Sequence, residues 1–186
     1  MCYQCETKPV YEFTNKRKLC KNCFARWFQK KVFYTIRKFR MLRQGDTVGY
    51  FRKNDFRSAV LEDVLKMLAE NRRINLHVIM QSNGSSKATK LALSSTADTE
   101  SYEIINAVIN GKIKNLRKFQ PVNKNIIKPL CLFLDAEIKL YAELKRLKFK
   151  AKKENKDKIK RFTDNLEKKH PEIKRAVING ILGLEN

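Results

Sequence analysis

Four cysteines near the start of the chain, Cys2 and Cys5 followed by Cys20 and Cys23, form two C-x-x-C pairs separated by fourteen residues. Each pair can wrap two thiolates around one tetrahedral ion, and the stretch Val10 to Phe13 supplies a short hairpin that returns the chain to the metal. The reading is a single structural Zn2+, because the motif holds no His and leaves no open ligand position. A pair of disulfides or a redox C-x-x-C are the competing readings, and a reducing compartment disfavours both. Lys16, Lys18 and Lys21 lie beside the set and help hold the thiolates in their charged form. Cys131 falls in the apolar run Lys128-Pro129-Leu130-Cys131-Leu132-Phe133 and reads as a buried, inert thiol.

The second constraint is charge. The 186 residues carry a formal charge of +22, and a lysine-rich surface of that size attracts phosphate polymers through counterion release. The chain is also rich in Asn and Ile, so compositional bias is the bland alternative. The distribution argues against bias, because no acid occurs from Phe13 through Gly45. The phosphate-contact candidates Lys16, Arg17, Lys18, Lys21, Arg26, Lys30, Lys31, Arg37, Lys38 and Arg40 all lie in that stretch, with Tyr3 or Trp27 as stacking platforms where exposed. A hydrophobic fraction of 42% beside 32% charged residues reads as globular, not disordered. No run approaches a membrane span and no secretory leader is visible, so the expected location is cytoplasmic, with no membrane partner.

Hydrophobic periodicity organises the rest. Phe24 to Leu42 repeats Phe24, Phe28, Val32, Ile36 and Phe39 at helical spacing, with a basic outer face and a stop at Gly45-Asp46. Thr47 to Phe51 reads as a strand, Phe56 to Ala69 as a helix, Ile74 to Met80 as a strand, and Gln81 to Lys87 as a linker. Thr89 to Leu93 is a third strand, Asp98 to Ile109 a helix, Lys112 to Lys118 a basic connector, Asn125 to Pro129 an extended piece and Asp135 to Leu147 a helix. Lys145 to Arg161 carries ten Lys or Arg and reads equally as a solvated helix or a phosphate-facing arm. Apolar periodicity returns from Phe162 to Leu184, interrupted at His170-Pro171. The alternation of strand and helix suggests an α/β class with a parallel sheet, followed by a helical C-terminal region.

These residues resemble a known family. The cysteine module followed by Lys21-Asn22-Cys23-Phe24, Lys31-Val32, Ile36-Arg37-Lys38 and Gly45-Asp46-Thr47-Val48 is similar to the tRNA 2-thiouridine synthetases of the archaeal and eukaryotic cytosolic type, in the PP-loop ATP-pyrophosphatase superfamily. Lys128-Pro129-Leu130, Glu137, Tyr141-Ala142 and the run from Phe162 through Leu166-Glu167 to His170-Pro171 resemble the family's last blocks. The resemblance implies a reduced Rossmann-like parallel sheet of PP-loop type and a zinc module meeting tRNA.

The departures are specific. Where the family carries S-G-G-x-D-S, a loop whose amides hold ATP phosphates, this chain has Lys53-Asn54-Asp55-Phe56-Arg57-Ser58, in which only Ser58 fits and Phe56 is expected to crowd the site. The family block T-G-H-N-x-D-D-E-A appears as Leu93-Ser94-Ser95-Thr96-Ala97-Asp98-Thr99-Glu100-Ser101, where Asp98 and Glu100 read as an N-cap and a first-turn carboxylate. The family's iron–sulfur and catalytic cysteines have no counterpart in the shortened centre. His77 reads as a core imidazole within a strand and His170 as structural. The expectation is a non-catalytic pseudoenzyme with one structural zinc and neither ATP nor an iron–sulfur cluster, binding tRNA or serving beside an active thiolase paralogue. The alternative is a ribosome-associated protein that binds rRNA. Four segments are expected: a zinc module at 1–24, a basic helical connector at 25–44, a degenerate PP-loop-like α/β domain at 45–130 and a basic helical region at 131–186.

Overall fold

A computed structural model describes residues 1–72, 74–79, 88–112, 118–150 and 157–183. The linker at 81–87, most of the connector at 112–118, the centre of the basic run at 151–156 and Leu184 lie outside the described residues. Between the cysteine pairs, β1 (Tyr11–Glu12) and β2 (Lys18–Leu19) pair antiparallel. The chain reverses between them with Lys16 in the left-handed region, at φ 63°.

Cys20 stands at the N-terminal boundary of α1 (Lys21–Lys38). The four-residue repeat Phe24, Phe28, Val32, Ile36 is wholly buried, so the helix forms by burying one stripe. It ends at Lys38, short of the expected Leu42. Arg40 turns left-handed at φ 48°, and the Met41 amide donates back to the Ile36 carbonyl at 3.0 Å, a closure that needs no glycine. The turn before the sheet is the glycine turn anticipated, with Gly45 at φ 85°.

The sheet contains β3 (Thr47–Phe51), β4 (Asn75–Ile79), β5 (Lys90–Ala92), β6 (Val122–Asn123) and β7 (Ile126–Ile127), in the order β4-β3-β5-β7-β6. β4, β3, β5 and β7 are parallel, and the two-residue β6 returns antiparallel to β7 through Lys124 at φ 54°. Gly49 lies where β3 is most tightly flanked. A Cβ there would stand 2.8 Å from Ile79 Cδ1 and 2.9 Å from the Ala88 Cβ. His77 corrects the core reading, since β4 is the sheet edge and the imidazole is exposed on it.

Helices α2 (Phe56–Arg72), α3 (Ala97–Ile109), α4 (Asp135–Leu144), α5 (Lys158–Lys169) and α6 (Ile173–Gly183) complete the fold. One core runs from Cys2 through α1, β3 and α2 to Ala142 of α4, so the cysteine module and the sheet share a single apolar interior. Phe28 sits at its centre, stacked on Tyr141 with centroids 4.1 Å apart and tilted on Phe133 at 4.4 Å. A smaller core joins α3 and α6 through Ala97, Ile104, Ile178 and Ile181. Among the described residues no helix is long and apolar enough to cross a membrane.

Candidate metal centre, basic face and crevice

The hairpin and the first turn of α1 bring all four cysteines together. Their sulfurs lie within 4.8 Å of one another, with Cys5 to Cys20 at 3.4 Å and Cys23 to Cys5 at 3.6 Å. Cys2, Cys20 and Cys23 are buried and Cys5 is exposed. The Cys20 thiol is drawn down to about 6, first by the Thr7 hydroxyl and then by the Cys23 amide. Desolvation and the adjacent sulfurs push the Cys23 thiol up to about 12. Sulfurs this close cannot all carry charge unless a cation lies among them, so the set is a site able to hold metal. Cys131 is buried, and desolvation raises its thiol to about 12, which keeps it protonated and unreactive.

The acid-free stretch does not present one uniform surface. Arg26, Lys30, Arg37 and Lys38 are exposed along the outer face of α1, and Lys21 and Arg40 are exposed at its ends. Tyr34, absent from the sequence candidates, is 55% exposed within this stripe. Its spacing, four residues after Lys30 and three before Arg37, is the signal that places it there. Lys16 and Lys18 lean on Glu12 at 4.0 and 3.3 Å, and the Arg17 guanidinium lies over the Phe13 ring.

Lys31 points the other way. It is packed between Trp27 and Phe133, with Nζ 5.0 and 4.5 Å from the ring centroids, and donates to the Leu132 carbonyl at 3.2 Å. Burial holds it below the ordinary lysine value. Trp27 is correspondingly engaged, edge-on to Phe13 and Phe133, whereas Tyr3 is 75% exposed beside the cysteines.

At the C-terminal ends of β3 and β5, where connections leave the sheet in opposite directions, an open crevice of about 290 Å³ is lined in part by Lys53, Asp55, Arg57, Ser94, Ser95 and Thr99. Such switch points are where open α/β sheets receive ligands. The Lys53–Ser58 loop is closed on itself. The Lys53 amide donates to Ser58 Oγ at 2.9 Å, the Ser58 hydroxyl to the Phe51 carbonyl at 3.1 Å, and the Ser58 amide to Asp55 Oδ1 at 2.8 Å. Asp55 therefore places this chain's own carboxylate at the start of α2, the position where a helix favours an anion. Asn54 accepts from the Lys150 amide at 3.2 Å. Phe56 does not crowd the crevice as expected. Its ring turns onto Phe149 at 6.2 Å.

Arg57 reaches Asp135 with two hydrogen bonds, and Asp98 receives the Asp135 amide at 2.7 Å. Asp98 also pairs with Lys174, which is only 4% exposed and is bound by Glu167 and Asp164 as well. Thr96 caps α3, so Asp98 is not the N-cap anticipated for it. Asp98 and Glu100 both lie in the first turn, and Glu100 meets Lys128 at 2.7 Å in a buried pair. On α4, the buried Glu137 accepts from Arg175 at 2.7 Å and from the Leu134 amide at 2.9 Å. Sequence spacing could not reveal Glu100–Lys128, Glu137–Arg175, Asp98–Lys174 or Arg57–Asp135, because their partners lie 28 to 78 residues apart.

Fold and site together define an α/β protein with a parallel sheet and a four-cysteine centre on the same core. No protein-family profile matches the sequence and no curated protein does. Among solved structures, the chain is similar to the U34-tRNA thiolase NcsA from Methanococcus maripaludis with its [4Fe-4S] cluster, at a TM-score of 0.75 and 19% identity, over 98% of this chain and 86% of that one. This likeness establishes the fold. It also overturns the expectation that the chain is not an enzyme. Over nearly its whole length it shares the architecture of a thiolase, and nothing among the described residues shows an activity lost. Because that neighbour holds an iron–sulfur cluster, the fold leaves the metal at the four cysteines open between zinc and iron–sulfur.

Proposed function

We propose that this protein is a zinc-containing tRNA-binding protein built on a thiolase-type scaffold, with the outer face of α1 as its primary RNA contact. The observation that carries the reading is the stripe Arg26, Lys30, Tyr34, Arg37 and Lys38. It presents four cations and one exposed ring, contains no acid, and continues from the cysteine module. Arginine and lysine neutralise backbone phosphates, and an exposed ring offers a face to an unpaired base. Lys21 and Arg40 extend the same surface at either end of the helix. Lys16, Arg17 and Lys18 flank it with part of their charge engaged locally, and Lys31 supports the helix from inside.

The sulfur spacing supports zinc. One ion with Zn–S distances near 2.3 Å places its four sulfurs about 3.8 Å apart, close to the separations seen here. A cubane cluster puts each thiolate on its own iron and spreads the four further. Cys2, Cys5, Cys20 and Cys23 would hold the ion, and its contribution is to fix the hairpin against α1.

RNA crosslinked to the protein in cells, recovered and sequenced, tests the reading against the variant Lys30→Glu, Arg37→Glu, Lys38→Glu. Enrichment of tRNA that disappears in the variant is the expected result. Dominance of ribosomal RNA would redirect the assignment to the ribosome, and absence of RNA would end it. Elemental analysis of the purified protein is expected to give one zinc per chain. Stoichiometric iron would refute that part alone.

A further inference from the structure

The helix α5 carries a second charged face that the fold leaves open. At 100° per residue, Lys158, Arg161, Phe162, Asn165, Lys168 and Lys169 fall within a sector of about 120° and span about 16 Å along the axis. All six are exposed, and Phe162 retains 53% of its accessible surface. The helix's own acids do not neutralise this face. Asp164 and Glu167 are turned inward onto the buried Lys174, at 3.6 and 2.6 Å. Asp157 is engaged at the N-terminus, where it accepts from the Lys160 amide and the Tyr102 hydroxyl. The inner side is satisfied as well, with Thr163 buried and its hydroxyl donating to the Ile159 carbonyl at 2.9 Å. One buried lysine thus gathers the carboxylates of α5 to one side and leaves four cations and an aromatic ring on the other.

We propose that this face of α5 is a second RNA-docking surface that takes a single-stranded segment, with Lys158, Arg161, Lys168 and Lys169 on phosphates and Phe162 stacked on an unpaired base. The assignment rests on the RNA-binding reading above and adds the class of RNA element recognised. Charge complementarity selects the occupant, because among the described residues the face offers cations with no acid on it and a flat ring in place of an apolar groove. Stacking on an exposed ring tolerates any base and needs that base unpaired, which distinguishes a single strand from a duplex.

The test uses the full chain and two fluorescent probes, a single-stranded RNA 12-mer and a blunt RNA duplex, with affinities read by anisotropy across a salt series. Phe162→Ala is expected to weaken single-strand binding about tenfold and to leave duplex binding unchanged, whereas Phe162→Trp, which keeps a stacking face, should bind as wild type does. Arg161→Glu with Lys168→Glu should lower the salt slope for the single strand by about 0.7 per lost phosphate contact. If Phe162→Ala weakens both probes equally, stacking is refuted. If every α5 variant binds as wild type while Lys30→Glu with Arg37→Glu loses RNA, the α5 face is simply solvated and the α1 reading survives. If wild type binds neither probe nor tRNA, both assignments fall. Phe162 and the charged positions are exposed, so unchanged thermal melting of the variants is the expected folding control.

Discussion

The cysteine module and the loop after β3 are both short segments placed at the end of a helix, yet they constrain the chain in opposite ways. In the module, four side chains at fixed sequence intervals converge to within 4.8 Å, and their sulfurs can all be charged together only with a cation among them. In the loop, Asp55 and Ser58 satisfy the backbone amides from within, so the start of α2 is stable with no ligand. A site assembled from side-chain sulfurs depends on what it binds, whereas a loop that caps itself does not. The two should therefore respond very differently to substitution.

The largest expected effect is on the module. On the proposed zinc reading, Cys23→Ser or metal removal by a strong chelator takes away an ion that joins hairpin to helix, and the buried Cys2, Leu19 and Cys20 belong to the main core. The melting temperature should fall by about 10 °C or more, measured by differential scanning calorimetry on chelated and zinc-replete protein. Unchanged melting after verified metal loss would place the module outside the cooperative unit and remove the contrast with the loop.

In the loop the expected effect is smaller and has a second component. Asp55→Ala deletes the cap of α2 and should cost about 1 kcal/mol in urea unfolding. The same change frees the Ser58 amide and removes a negative charge from the anion position of the helix. Pyrophosphate affinity, measured by calorimetry, should then rise about fivefold, equivalent to ~1 kcal/mol. A variant that loses stability without gaining affinity would show that the crevice is closed to phosphate by more than its own carboxylate.

How much of this was legible follows the same division. The four cysteines could be read from spacing alone, because a chelate fixes intervals in the sequence itself. The strand and helix alternation was equally legible, since Val48, Tyr50, Val60, Val64 and Leu68 bury repeating faces. The end of α1 was not, because Arg40 enters the left-handed region without the glycine that usually marks it. β6 has two residues, too few to carry a period. The role of Asp55 was hidden by comparison with a glycine loop, although an Asp directly before a helix start is itself a cap signal. The expectation about catalysis failed for a related reason: it weighed the residues missing from the nucleotide loop and the missing catalytic cysteines, whereas the architecture is shared with a thiolase over 98% of the chain.

The smallest effect tests the phase of α1. An acid-free run of lysines and arginines looks uniform, but Lys31 is seven residues after the buried Phe24 and four before the buried Thr35, which places it on the inward stripe. Lys31→Met should retain RNA affinity within about twofold, while Lys30→Glu one position earlier weakens it, and stability should stay within ~1 kcal/mol because a methionine fills the same channel without a charge to desolvate. The pH dependence gives a sharper check. Burial holds the Lys31 ammonium below its ordinary value of 10.5, so between the lowered folded value and 10.5 the unfolded chain binds more protons than the folded one, and stability contributed by this residue rises with pH. Below that window the buried charge is a constant cost. Urea unfolding of wild type and Lys31→Met across the alkaline range should therefore converge as pH rises if wild type starts lower, and the methionine variant should lose the rising slope. Parallel curves would mean that Lys31 titrates as an exposed lysine and belongs with Lys30 on the outer face after all.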